Sequence, residues 1–274
     1  MGGQALRHRP VRSGTADLAV SEVGSGRPVA LLHAGVADRR SWYPVMEALA
    51  DRYRMLSYDQ RGYGETAYQP EPYSPVDDLR AVLDAAGVDR AVLVGCSRGG
   101  QIAAEATFCW PQRVRGLVLI GSAPVGAPSP DALPEQIEGL FEAIEAAETA
   151  GDLAEVNRLE AHLWLDGPLT AEHRVGGPAR GLFLDMNGRA LAAPAPGQAE
   201  ELPPRWHQLA ELSVPTLVLV GEHDLPLLLQ RAHAIAATVP AARSAVLTGS
   251  AHLPMLDRPE ELIHQLTAFL TDLE

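Results

Sequence analysis

The chain has 274 residues, two cysteines and a formal net charge of −13 at pH 7. Its length suffices for one large α/β domain, or for a domain with an insertion, and its negative charge argues against a nucleic-acid partner, which would require a basic surface. No apolar run approaches the roughly 18 residues of a membrane span, and residues 1–12 lack the apolar region of a secretory signal. These features predict a reduced, cytoplasmic protein with no membrane partner, and they leave its oligomeric state open.

All 22 basic residues are arginines, which excludes a lysine Schiff base. The metal-binding spacings C-x-x-C and H-E-x-x-H do not occur. The two glycine-rich nucleotide-binding patterns, G-x-x-x-x-G-K-[ST] and G-x-G-x-x-G, are also missing. The sequence therefore predicts a protein that needs no metal or other cofactor and whose partner is a small-molecule substrate.

Strand and helix patterns alternate through the first half of the chain. Residues 1–15 are predicted as an N-terminal tail, and residues 16–22 as an early edge strand. Apolar runs predict buried strands at 29–32, 55–58, 91–94 and 114–120, and helical patterns lie between them at 44–50, 77–86 and 101–107. This alternation predicts an α/β fold with a mostly parallel central sheet and helices on both faces.

The most informative stretch is Gly95–Gly99, where Gly-Cys-Ser-Arg-Gly joins a predicted buried strand to a predicted helix. A G-x-S-x-G pattern in this setting is typical of a nucleophile elbow, which holds its serine, here Ser97, up into a cleft. The tight turn brings backbone segments together, so glycines stand where a Cβ would collide. The helix start directs free N–H groups toward a developing anion. Taken alone, the pentapeptide also fits a glycine-rich turn with a surface serine.

From residue 124 to residue 212 the strand patterns disappear and amphipathic helical patterns dominate, most clearly at 134–149 and 153–164. This segment contains 15 acidic residues and 5 arginines. Because it interrupts the α/β alternation, we predict a helical cap inserted into a core made of residues 16–123 and 213–274. We expect the cap to act as a lid over the site, and its acidity favours neutral substrates over anionic ones.

The α/β pattern then resumes, with strands predicted at 216–220 and 244–247 and helices at 227–239 and 259–273. Asp224 follows the first of these strands, and His252 follows the second. Ligands of parallel sheets bind outside the carboxyl ends of the strands, so we expect both side chains near Ser97. A serine needs an adjacent base to act as a nucleophile. His252 would accept its proton, and Asp224 would orient the imidazole.

Over roughly residues 16–273 the chain resembles the α/β-hydrolase family. The matching motifs are, in chain order, His33-Ala34-Gly35, Asp59 to Gly64, Gly95 to Gly99, Asp224 and His252. The resemblance implies a catalytic triad of Ser97, Asp224 and His252. It also implies an oxyanion hole built from the backbone N–H of Arg98 and that of Ala34 or Gly35, of which we prefer Gly35.

Further side chains are candidates for the substrate pocket or for the support of the site. Trp42, Trp164, Phe183 and Met186 are predicted to line the pocket, with Trp206 as a further candidate, although such residues also serve as core on amphipathic helices. The Arg98 side chain could bind a substrate carboxylate or pair with an acidic residue of the cap. His33 is expected to brace the loop behind the site, and Asp59 and Arg61 to form a local ion pair at a tight turn.

The sequence thus predicts a cofactor-free serine hydrolase that cleaves a carboxylic ester or lactone of a small, fairly apolar molecule through an acyl-enzyme. By resemblance it is most similar to small bacterial esterases and enol-lactonases. A carbon–carbon bond hydrolase with the same triad is an alternative. A ligand-binding or lyase member of the fold that does not hydrolyse esters is another, because fold does not fix function.

Overall fold

The computed structural model describes residues 5–129 and 132–274, in which eight strands form one sheet. The strands are β1 (Arg7–Ser13), β2 (Ala16–Val23), β3 (Arg27–Leu32), β4 (Tyr53–Tyr58), β5 (Ala91–Cys96), β6 (Val114–Ile120), β7 (Thr216–Gly221) and β8 (Ala242–Leu247). Their order is β1-β2-β4-β3-β5-β6-β7-β8. Strand β2 pairs antiparallel with β1 and with β4, and the other five pairings of this sheet are parallel, which confirms the predicted mostly parallel arrangement.

The prediction of a tail over residues 1–15 is wrong for the part that contains β1. This strand pairs with β2 along its whole length, so the strand at 16–22 is second in the sheet and not at its edge. Val11 is the one buried residue of β1, and the strand therefore lacks the apolar alternation that would have revealed it. Residues 1–4 of the predicted tail lie outside the described residues.

Helices cover both faces of the sheet. The helices are α1 (Tyr43–Leu49), α2 (Pro75–Ala85), α3 (Arg98–Cys109), α4 (Glu135–Ala150), α5 (Leu153–Glu160), α6 (Gly177–Ala192), α7 (Pro226–Thr238), α8 (Pro254–Asp257) and α9 (Pro259–Asp272), with short 3₁₀ helices at Arg39–Trp42, Pro111–Arg113 and Trp206–Glu211. Apolar side chains of α2, α3 and α7 pack on one face, and those of α1 and α9 pack on the other. Burial of these two apolar layers is the main stabilising contribution to such a fold.

Helices α4, α5 and α6 lie between β6 and β7, together with a π-helical turn at Ala161–Asp166 that continues α5. Helices α4 and α5 share an apolar cluster that includes Ile137, Ile144 and Val156. Ala161 and Leu165 of the π-helical turn pack instead in the cluster formed by α1 and α9. Within the described residues, no helix combines the length and apolarity that crossing a membrane would require.

Candidate active site

Ser97 occupies a strained turn between β5 and α3. Its backbone has φ 51° and ψ −119°, a left-handed conformation that is rare outside glycine and often found at functional sites. Its N–H donates to the Ile120 carbonyl at 2.9 Å, and its own carbonyl accepts from the Ser122 hydroxyl at 2.7 Å. These bonds hold the serine backbone against the end of β6.

Gly95 and Gly99 permit this turn because their backbones touch other backbone segments. A Cβ on Gly95 would collide with the Gly99 carbonyl, and a Cβ on Gly99 would collide with the Leu32 carbonyl. Since backbone cannot move aside as a flexible side chain can, only glycine fits at either position. The turn thus depends on both glycines of the G-x-S-x-G pattern.

His252 and Asp224 form a buried pair at the same edge of the sheet. The Nδ1 atom of His252 lies 2.9 Å from Oδ2 and 3.1 Å from Oδ1 of Asp224, and the two side chains are 3% and 1% exposed. Oδ1 of Asp224 also accepts a hydrogen bond from the Leu225 N–H at 2.8 Å. With Nδ1 engaged by the carboxylate, the other ring nitrogen of His252 is left for the cavity that it shares with Ser97.

Gly121, directly after β6, is a site residue that the sequence prediction missed. It has φ 51°, and a Cβ there would lie 2.8 Å from both Oδ2 of Asp224 and Nδ1 of His252. The signal was available, because this glycine directly follows the buried strand that the sequence predicts at residues 114–120. Its missing side chain leaves the room that the histidine–aspartate pair occupies.

The insertion contacts the loop that carries His252. The Trp164 carbonyl, in the π-helical turn, accepts from the His252 N–H at 3.2 Å, and the two rings pack with centroids 4.6 Å apart. π-Helical turns are rare and frequently occur at functional sites. The backbone and the ring of His252 are therefore both positioned by a residue of the insertion.

Arg174 and Asp257 reinforce this contact, and the sequence prediction included neither of them. Arg174 donates to the Gly249 carbonyl at 2.7 Å, to the Leu165 carbonyl at 2.9 Å and to Oδ2 of Asp257 at 2.8 Å. The Asp257 carboxylate, whose side chain is 1% exposed, in turn accepts from the Ala251 N–H at 2.8 Å. Arg174 lies at a bend and Asp257 ends the four-residue helix α8, which is too short to show apolar periodicity, so no sequence pattern marks either residue.

The two expected oxyanion donors come from two segments next to Ser97: the loop after the neighbouring strand β3, and the start of α3. Gly35 follows β3, which pairs with β5 through Leu32 and Gly95, and Arg98 is the first residue of α3. Within residues 5–129 and 132–274, neither backbone N–H has a hydrogen-bond acceptor. Two free N–H groups beside the serine could receive an anionic oxygen.

His33 braces the loop behind Ser97, as the sequence predicted. Its Nδ1 lies 2.8 Å from the Ala34 carbonyl, and its Nε2 accepts from the Gln60 N–H at 3.0 Å. Burial lowers the pKa of His33 to about 4, so the ring is neutral at physiological pH and can accept at Nε2 while donating from Nδ1.

Two cavities flank this arrangement. The first, the Ser97 cavity, has a volume of about 290 Å³ and is lined by Ser97, His252, Trp164 and apolar side chains that include Leu225 and Leu228. The second, the Arg98 cavity, has a volume of about 400 Å³ and is lined by Gly35, Arg98, Tyr63, Tyr73, Glu160 and Asn187 together with a Pro- and Ala-rich segment at 193–199. The Ser97 cavity thus combines apolar walls with the polar side chains of Gln101 and Arg231, and the Arg98 cavity also carries several polar groups.

The predicted pocket residues divide between cavity and core. Trp164 lines the Ser97 cavity. Trp42, Phe183 and Met186 do not line either cavity, because they are fully buried in the apolar cluster of α1 and α9. Trp206 packs against the apolar layer on the other face of the sheet. Trp42, Phe183, Met186 and Trp206 are therefore core residues and not pocket residues.

The predicted ion pair between Asp59 and Arg61 is wrong, and one of the two alternatives for Arg98 is not observed. Nε of Arg98 donates to Oε1 of Gln60 at 3.0 Å, and no acidic side chain of the described residues pairs with Arg98, so the proposed pair with a cap residue is not formed. Asp59 pairs with Arg39, whereas Arg61 pairs with Asp78 at 2.9 Å and with Glu71 at 2.6 Å. Asp59 still supports the turn, because its carboxylate accepts from the Glu65 N–H at 2.7 Å.

Cys96 precedes Ser97, but its surroundings do not activate it. Both cysteines are free, and burial raises the pKa of the Cys96 thiol well above its ordinary value. Its Sγ donates to the His252 carbonyl at 3.3 Å, which makes it a support for the histidine loop. Among the described residues, no group of three or more His, Cys, Asp or Glu side chains is placed to hold a metal ion.

Comparisons with known proteins agree with the observed fold. A model of the alpha/beta hydrolase family matches residues 29–265. The chain is 24% identical over 256 residues to the pimeloyl-[acyl-carrier protein] methyl ester esterase of Aliivibrio salmonicida, covering 90% of this chain and 93% of that protein. It is 30% identical over 199 residues to the 2-(acetamidomethylene)succinate hydrolase of Mesorhizobium japonicum, covering 65% and 71%. The solved structure of a thermophilic esterase from Thermogutta terrifontis, with malate bound, is 27% identical with a TM-score of 0.73, covering 98% and 99%.

Proposed function

The chain belongs to the alpha/beta hydrolase family and is a hydrolase, and on that premise we propose that it cleaves a carboxylic ester or lactone of a small molecule through an acyl-enzyme on Ser97. The observation that carries the proposal is the buried His252–Asp224 pair, which shares one cavity with a serine held in a strained elbow. The similarity to esterases gives further support.

In the proposed first step, Oγ of Ser97 attacks the carbonyl carbon while His252 takes the hydroxyl proton. Asp224, bonded to Nδ1, holds the ring in orientation and stabilises the imidazolium that forms. The carbonyl oxygen becomes an oxyanion between the N–H groups of Gly35 and Arg98, which act only where charge develops. His252 then returns the proton to the alkoxide, which leaves, or to the ring-opened oxygen of a lactone.

In the second step, water attacks the acyl-enzyme, with His252 again accepting the proton and returning it to Ser97 as the acid is released. The apolar wall of the Ser97 cavity, with Trp164 and Leu228, suits a small apolar substrate group. We propose that residues 124–212 form a lid that excludes bulk water, since Trp164 of this segment contacts His252 directly. The proposed location is the cytoplasm, in keeping with the two free cysteines.

The test is active-site labelling combined with turnover of short 4-nitrophenyl esters. Ser97→Ala should lower kcat by roughly 10⁶-fold, as expected when triad residues act as a unit, and should abolish labelling by a fluorophosphonate. Ser122→Ala is the matched control, because it removes the hydroxyl of a neighbouring serine, one that contacts the Ser97 carbonyl. This variant should still be labelled by the fluorophosphonate. Labelling of another residue, or binding of esters without turnover by the unaltered protein, would refute the proposal.

A further inference from the structure

The Arg98 cavity contains a guanidinium group that forms no ion pair with a carboxylate of the described residues. Within the described residues, the hydrogen bond from the Arg98 side chain goes to the neutral Gln60 amide. Several other arginines face carboxylates: Arg39 faces Asp59, Arg61 faces Asp78 and Arg174 faces Asp257. Arg98 is half-buried and, like Arg231 in the Ser97 cavity, lines a cavity with no carboxylate partner among the described residues, so its charge is available to an anionic ligand.

The walls of the Arg98 cavity add neutral donors beside this cation. Tyr63 and Tyr73 line the cavity, and burial raises the pKa of each hydroxyl while the Arg98 charge opposes the shift. Both hydroxyls therefore stay protonated near neutral pH and can donate. A guanidinium and two hydroxyl donors in one cavity suit a carboxylate, which accepts several hydrogen bonds at once.

We propose that the Arg98 cavity binds a carboxylate of the substrate, so that the enzyme prefers esters or lactones that carry a second, free carboxylate. This inference rests on the proposed function, because the backbone N–H of Arg98 would stabilise the oxyanion while its side chain holds the carboxylate. The scissile carbonyl would lie in the Ser97 cavity, and the free carboxylate would lie next to Gly35. The substrate class is thus a monoester of a dicarboxylic acid, or an ester whose alcohol part bears a carboxylate.

The opposite wall limits this preference. Glu160 faces the same cavity from α5, and it accepts a hydrogen bond from Nδ2 of Asn187 at 2.7 Å. Its negative charge would repel a bound carboxylate, and burial, which raises its pKa, weakens this effect. The acidic residues of α4, from Glu135 to Glu148, are exposed and therefore largely screened by salt. The charge of the insertion is thus a weaker influence on substrate choice than the local charge of Arg98.

The test compares matched esters with and without a free carboxylate. One pair is 4-nitrophenyl hemisuccinate and its methyl ester, with the carboxylate on the acyl part. The other is 4-acetoxybenzoate and its methyl ester, with the carboxylate on the alcohol part. The measured quantity is the ratio of kcat/KM within a pair, in which effects on the shared chemistry cancel. Arg98→Met should lower this ratio by about 10-fold or more in at least one pair, as expected for a charge-assisted hydrogen bond.

Two further variants separate this site from general effects. Glu160→Gln keeps the size of the side chain and should raise the ratio, which a merely destabilised protein would not do. Arg231→Met removes a different cation, one that lines the Ser97 cavity, and should leave the ratio unchanged. An unchanged ratio in Arg98→Met, or a ratio that falls only in Arg231→Met, would overturn the proposal.

A binding measurement keeps the inference separate from the proposed function. The Ser97→Ala variant cannot form an acyl-enzyme, so its affinity for monomethyl succinate by calorimetry does not depend on turnover. It should bind monomethyl succinate at least tenfold more tightly than dimethyl succinate, and adding Arg98→Met should remove the difference. If no ester is hydrolysed but this difference is found, the proposed function fails and the carboxylate site stands. Equal binding of the two esters overturns the site.

Discussion

Replacement of Gly121 by alanine is expected to displace the His252–Asp224 pair while leaving the chemical groups of both side chains unchanged. The new Cβ would lie 2.8 Å from Oδ2 of Asp224 and 2.8 Å from Nδ1 of His252. Non-bonded heavy atoms prefer separations of about 3.5 Å or more, so the pair must retreat by roughly 0.7 Å. The left-handed backbone at φ 51° adds strain of about 1–2 kcal/mol for a residue with a Cβ.

The displacement predicts a loss of activity larger than the loss of stability. A misplacement of about 1 Å in a catalytic group costs about 10²-fold in rate, so a shift of this size should lower kcat by roughly 10- to 100-fold. The assay is turnover of a 4-nitrophenyl ester at saturating concentration, alongside thermal unfolding of the same preparation. KM should change less than kcat, because Gly121 is one of fifteen residues that line the Ser97 cavity and the side chains of the other fourteen are not replaced.

Gly139→Ala is the matched control for this experiment. Gly139 lies on the exposed side of α4, and a Cβ there meets nothing within 4 Å. The same chemical change should therefore leave kcat unaltered and stabilise the helix by up to about 1 kcal/mol. Normal kcat in Gly121→Ala would refute the reasoning, since it would show that the pair tolerates the displacement or does not take part in the chemistry.

Two further predictions concern supports of the site. The pKa of His33 is lowered from 6.5 to about 4, so the unfolded chain binds this proton more strongly, and stability present above pH 6.5 is lost as the pH falls toward 4. Between pH 7 and pH 5 the free energy of unfolding, measured with denaturant, should fall by about 2 kcal/mol from this residue. His33→Gln should lack this part of the pH dependence. Equal pH dependence in the two proteins would contradict the prediction. Asp257→Asn should cost about 1–3 kcal/mol of stability and lower kcat, because the amide removes the negative charge that faces Arg174 and leaves one acceptor oxygen, instead of two, for the Ala251 N–H, Arg174 and the Ser250 hydroxyl. Asp51→Asn, an exposed control, should change neither, and a normal kcat in Asp257→Asn would show that the His252 loop does not depend on this bond.

The parallel sheet was predictable because its strands are buried on both faces. Strands β5 and β7 consist entirely of buried residues, so their apolar runs stand out from the polar turns around them. The proximity of Ser97, Asp224 and His252 followed from the rule that strand ends meet at one edge of the sheet. Strand β1 was not predictable in this way, because most of its residues are exposed and it contains a proline, which only an edge strand tolerates.

Side-chain partners were less predictable than strand positions. The sequence places Asp59 two residues from Arg61, but their partners Arg39 and Asp78 come from elsewhere in the chain, and only the folded structure brings them close. Trp42 illustrates the same limit, because a tryptophan beyond the Gly35 loop has the composition of a pocket residue yet is fully buried in the core. Apolar periodicity predicts which face of a helix or strand is buried, but it does not predict which residues of the rest of the chain pack against that face.

The hydrogen bond from the His252 N–H to the Trp164 carbonyl links the entry of substrate to the positioning of the catalytic base. It joins a residue of the core to the π-helical turn of the insertion, so any outward movement of that turn breaks the bond and withdraws the Trp164 ring from the imidazole. A conformation wide enough to admit a bulky substrate would therefore loosen His252 at the moment of entry. Arrival of the substrate and removal of the serine proton would then be successive events, and water that enters with the substrate would meet a nucleophile that is not yet activated.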